Sequence, residues 1–81
     1  MAEESRISIN PKICHGKPCI KGTRIPIYLI LEMIEHGLTF KEILEEYPDI
    51  EIEDIKACIR YAKALVNDEE ITPLVEINVS P

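Results

Sequence analysis

The chain has 81 residues, 46% of them apolar, with no Trp, one Phe and a net charge of −6. This length is that of one small domain, which buries only ~60% of its unfolded surface, so the core is marginal and aliphatic and a homodimer is expected to supply further burial. Three Cys exclude a complete disulfide framework within one chain, and the longest apolar run, at 29–31, is far short of the roughly 20 residues that a membrane span needs.

In chain order, the first predicted unit is a strand and turn arm over 1–26. The stretch INPKICHGKPCIKGTRIPI, from Ile9 to Ile27, holds Asn10-Pro11, His15-Gly16, Lys17-Pro18, Lys21-Gly22 and Ile25-Pro26. Each Pro fixes its own φ and biases the residue before it toward extended geometry, while each Gly takes turn conformations cheaply, so no helix fits here. Ile7, Ile9 and Ile13 nearly alternate with polar residues, and 23–27 repeats the pattern after the turns, which predicts a strand pair between these two stretches.

A three-helix bundle is predicted over 27–67. The first helix runs from Ile27 or Tyr28 to His36, with Pro26 near its first turn and Gly37 ending it. Its apolar residues cover most of its circumference, so it is central or lies in an oligomer interface, and Leu29, Ile30 and Met33 are the candidate dimer contacts. The second helix begins at a capping box, Thr39 with Glu42, stapled by Leu38 and Ile43, and ends by Tyr47 ahead of Pro48. The third opens near Glu51 and runs to about Val66. Ile52, Ile55, Ile59, Ala62 and Val66 are its predicted buried stripe, widened by Cys58 and Leu65. Beyond it, 68–81 is read as an extended or disordered tail in which Leu74, Val75, Ile77 and Val79 are candidate partner contacts.

Charge divides the chain. Residues 1–30 carry five bases against two acids, and the remainder carries four bases against thirteen acids. The basic arm (Lys12, Lys17, Lys21, Arg24) and a stripe on the third helix (Lys56, Arg60, Lys63, at i, i+4 and i+7) are the candidate nucleic-acid contacts. Against DNA reading, the third helix begins with Glu51, Glu53 and Asp54. The acidic residues Glu45, Glu46 and Asp49 are candidate contacts to a basic partner.

Cys14, His15 and Cys19 do not amount to a zinc set, since four ligands are needed and His15 points away from Cys14 in an extended segment. No metal, cofactor or catalytic constellation is expected. With MAEESR at its start the chain reads without a secretory leader, and a cytoplasmic location is expected.

The ordered series Gly16, Pro18, Gly22, Thr23, Arg24, Ile25 and Pro26, followed by Ile43, Leu44, Tyr47, Pro48 and Tyr61, resembles the small prokaryotic family called domain of unknown function 433 over about 7–64. The resemblance implies a homeodomain-like, mainly α helix-turn-helix bundle behind an N-terminal β-hairpin arm. It also implies a VapB-like antitoxin partnered with a PIN-like ribonuclease toxin, a partner-binding regulator and not an enzyme. Glu51 departs from the family pattern, which has Thr or Ser as the cap of the third helix. The expected function is therefore an antitoxin-like regulator with weak, salt-dependent operator binding. The alternatives are a stand-alone DNA-binding regulator and a small metal or redox protein using Cys14, His15 and Cys19.

Overall fold

Three turns in series bend the basic segment in a computed structural model that describes residues 5–68. First, the Asn10 side chain accepts the Lys12 amide at 2.8 Å while its carbonyl accepts that of Ile13 at 2.9 Å. Next come Cys14, His15 and Gly16 at φ 54°, 56° and 79°, a single tight turn closed by Lys17 N–H on the Cys14 carbonyl. The extended run expected at Cys14 and His15 is therefore absent. Left-handed geometry at two successive residues with a Cβ costs conformational energy and holds only where the surroundings enforce it. Last, Thr23 N–H meets the Ile20 carbonyl at 3.0 Å with Gly22 at φ 83°, the position where such a turn needs glycine. The Thr23 hydroxyl locks this turn by donating to Ile20 at 2.7 Å and accepting the Ile25 amide at 3.0 Å.

Strand β1 (Ile7–Ser8) pairs antiparallel with β2 (Cys19–Ile20), placing Ile7 opposite Ile20. The segment 23–27, expected to be the partner of the first strand, lies on the other side of β2 and contributes one bridge, Cys19 opposite Pro26. Flanking that bridge, Ile20 N–H donates to Ile25 and Ile27 N–H to Pro18. Pro26 thus occupies a ladder position whose amide is not called upon, where proline costs no hydrogen bond. Cys19 and Ile20 are buried in the same core as the helices, so the arm is part of the packed body.

Helix α1 (Ile27–Glu35) follows directly from Pro26, with Ile27 and Ile30 buried. It ends in a paired closure: Leu38 N–H donates to Met33 and Gly37 N–H to Ile34, with Gly37 at φ 90°. This arrangement satisfies carbonyls that the helix end leaves open, and it needs a residue without a Cβ at Gly37. Helix α2 (Phe40–Glu46) carries the full capping box, Glu42 N–H on Thr39 Oγ1 at 3.1 Å and Thr39 N–H on Glu42 Oε1 at 2.8 Å. The first two helices thus begin and end as the sequence predicts.

Helix α3 (Ile52–Asp68) starts behind Glu51, whose own amide is accepted by the Asp54 carboxylate at 2.9 Å. Half of a capping box survives without Thr or Ser. Arg6 completes this corner, reaching Asp54 at 3.0 Å and Glu51 at 3.3 Å. Of the stripe predicted as buried, only Ile55 and Cys58 are fully so; Ile52, Ile59, Leu65 and Val66 are exposed. The face turned to α1 is the line of Ile55, Cys58 and the half-buried Tyr61, which packs against the core with Ile20, Ile30, Ile43 and Ile50. Helical period alone allowed either line, and the packing of α1 against α3 selects the second.

Candidate interaction surface

The bases of the arm sit where turns expose them. Lys12 follows the Asn10 turn, Lys17 leaves the Cys14–Gly16 turn, and Lys21 and Arg24 flank Gly22; all four are exposed. Lys56, Arg60 and Lys63 are also exposed on α3, with Lys56 3.8 Å from Glu53. The start of α3 is less negative than its sequence suggests, because Arg6 meets Glu51 and Asp54 while Lys56 meets Glu53. Both carboxylates raise the Arg6 pKa, Asp54 through the stronger hydrogen bond, so this guanidinium holds its charge at any ordinary pH. Arg6 was not among the predicted site residues, since nothing local links it to Glu51, 45 residues later at the start of α3.

Glu45 and Glu46 lie exposed at the end of α2 and Asp49 lies exposed in the connection to α3. Leu74, Val75, Ile77 and Val79, proposed as contacts of the tail, lie outside the described residues. Of the three candidate dimer contacts, Ile30 is fully buried in the chain's own core and so is not free to meet a second copy. Leu29 and Met33 are half-buried, and Met33 packs against that core. Central packing, the other expectation for so apolar a helix, accounts for Ile30.

The apolar surface that does remain open lies elsewhere. An apolar groove of about 480 Å³ runs between the arm, α1 and α3, with Lys17 and Pro18 at one lip, Tyr28 and Leu31 on one wall, and Tyr61 and Leu65 on the other. Ala62 also borders a second recess, shared with Ile59 and Val66, on the outer side of α3. The two join into an apolar face along the last turns of α3, where Leu65 is 47% and Val66 71% exposed. The signal for it was present in the sequence, as the apolar line of Ile52, Ile59 and Val66 that packing against α1 leaves open.

The thiols form a separate feature. Cys14 Sγ donates to the Arg24 carbonyl at 3.2 Å, and Cys19 Sγ to the Thr23 carbonyl at 3.6 Å. Burial, reinforced by the Cys19 thiol, pushes the Cys14 pKa up despite the opposing pull of Arg24. Cys58 is buried in α3. Among the described residues, no group of three or more His, Cys, Asp or Glu side chains gathers as a metal-binding set. No helix among them is long and apolar enough to cross a membrane.

Comparison with known proteins places these features in a family. Residues 7–62 match the family described as protein of unknown function (DUF433). The chain is 31% identical over 58 residues to the uncharacterized protein y4eO of Sinorhizobium fredii, a match that takes in 72% of this chain but only about a quarter, 26%, of that protein. The fold is similar to a crystal structure of a DUF433 member from Anabaena variabilis, with a TM-score of 0.73 at 31% identity, covering 79% of this chain and 63% of the other. Extending across β1, β2 and nearly all of the helical body, the match of sequence and of fold makes this chain a member of the DUF433 family.

Proposed function

We propose that the protein is a partner-binding regulator of the antitoxin type, a homodimer that holds a PIN-like ribonuclease inactive. The observation that carries the reading is the open apolar face formed by Tyr28, Leu31, Ile59, Leu65 and Val66 around the groove. Contiguous apolar surface of this kind, left in water by a domain with so small a core, marks a protein-docking surface. Its position on α3 suits a second copy. Glu45, Glu46 and Asp49, at the opposite end of α3, are the acidic surface offered to the bases with which a ribonuclease lines its approach to RNA. In this reading residues 72–81 enter the nuclease cleft, so the carboxylates speed and steer association while the tail blocks entry.

One observation favours the second reading, a stand-alone DNA-binding regulator: Lys12, Lys17, Lys21 and Arg24 are all exposed, and the acids at the start of α3 are partly neutralised by Arg6 and Lys56. Such a surface gives electrostatic, weakly specific binding.

Co-expression with the product of the neighbouring reading frame tests the proposal. The full chain is expected to co-purify with the nuclease and silence it. Deleting Thr72 to Pro81 weakens inhibition far more than it changes thermal stability, and changing Glu45, Glu46 and Asp49 to Lys slows association and reduces its dependence on salt. If no nuclease co-purifies, the antitoxin reading fails. Nanomolar, sequence-selective DNA binding at physiological salt would put the second reading in its place.

A further inference from the structure

Two of the three thiols are brought together by parts of the arm that have no sequence motif in common. The left-handed turn at Cys14, His15 and Gly16 leaves the Cys14 thiol against the segment that precedes α1. There the Cys14 and Cys19 thiols bond to the carbonyls of successive residues, Arg24 and Thr23. The Cys19 thiol is also among the causes that raise the Cys14 pKa, a further sign that the two lie close. The pair is asymmetric in access: Cys14 is half-buried and Cys19 is 0% exposed. Cys58, also 0% exposed, lies on α3 and serves as an internal reference.

We propose that Cys14 and Cys19 form a reversible thiol–disulfide site, with Cys14 as the thiol that meets a peroxide and Cys19 as the thiol that resolves it. In the first step the Cys14 sulfur, having lost its proton, attacks one peroxide oxygen. The O–O bond breaks, hydroxide leaves and takes up the proton as water, and Cys14 becomes a sulfenic acid. In the second step the Cys19 sulfur attacks the Cys14 sulfur, the S–O bond breaks, and the departing hydroxide carries off the Cys19 proton as water. Two thiols are oxidised by two electrons, and one peroxide is reduced to two waters. The raised Cys14 pKa leaves less thiolate at neutral pH and so slows the first step. Oxidation also removes both S–H donors from the Thr23 and Arg24 carbonyls, so the change is felt in the loop that carries Lys21 and Arg24.

Hydrogen peroxide added to the reduced full-length protein tests the site. The intact mass should fall by two hydrogens, with Cys14 closed to maleimide until dithiothreitol is added, and Cys19 closed to it even in denaturant until then. Cys58 should react only in denaturant, before and after oxidation alike. Both cysteines fall in one tryptic peptide, 13–21, because the Lys17-Pro18 bond resists trypsin, so the mass of that peptide reports the bridge directly. In Cys19→Ser, Cys14 should accumulate as a sulfenic acid trapped by dimedone; in Cys14→Ser, Cys19 should remain a thiol under the same treatment. Sulfinic or sulfonic acid at Cys14 with Cys19 still free, or chains linked to one another through Cys14, would overturn the proposal.

Discussion

At Cys14 a single side chain combines a strained backbone, partial burial and a second thiol for a neighbour. Its raised pKa has a definite sign for stability. Below the ordinary thiol pKa both the folded and unfolded chains keep the proton and the contribution is fully present; above it the unfolded chain ionises first, so folding loses ground until the folded value is passed. Urea denaturation of the reduced protein from neutral to alkaline pH should therefore show a decline that Cys14→Ser makes shallower. An unchanged slope in the variant would assign the decline to other groups. The sequence revealed the three residues of this turn but not their geometry, because positive φ at two successive residues with a Cβ, as at Cys14 and His15, is uncommon and has no local signal. Gly37 was legible for the opposite reason, since a helix end asks for glycine locally.

The helices show which elements could be read ahead of the structure. Thr39 and Glu42 lie three residues apart and satisfy each other's backbone groups, so their pattern carries the start of α2 by itself. Thr39→Ala should cost about 1 kcal/mol in urea denaturation while leaving the body of the helix in place. A loss within error would mean that packing of Ile43 and Leu44, and not the cap, sets this start. Pairing of β1 was less legible because strand partners are chosen over distance: Ile7–Ser8 could pair with either of two stretches, and the placement of 23–27 just before α1 left β2 as the free edge. On α3 two apolar lines, Ile52-Ile59-Val66 and Ile55-Cys58-Tyr61, each fit a helical period. Contact with α1 decided between them.

For the molecule as a whole, the line that α1 did not use becomes the candidate docking face. Light scattering at micromolar concentration should give twice the 9.3 kDa mass of the chain, and Leu65→Lys with Val66→Lys should return it to the mass of one chain with its helical circular dichroism retained. A wild-type monomer, or a dimer indifferent to both charges, would move the interface elsewhere. The acidic second half and basic first half, plain in composition, meet in part inside one molecule, at the corner where Arg6 binds Glu51 and Asp54. That corner also sets an order of assembly. α1, α2 and α3 follow one another through short connections and can associate as they leave the ribosome, whereas Arg6 must wait for a partner 48 residues later, at the entropic cost of closing so long a loop. The Arg6 side chain is then fixed in place only once the start of α3 has formed. Hydrogen exchange at the Glu51 amide, which the Asp54 carboxylate accepts at 2.9 Å in that same corner, is where the lag would be read.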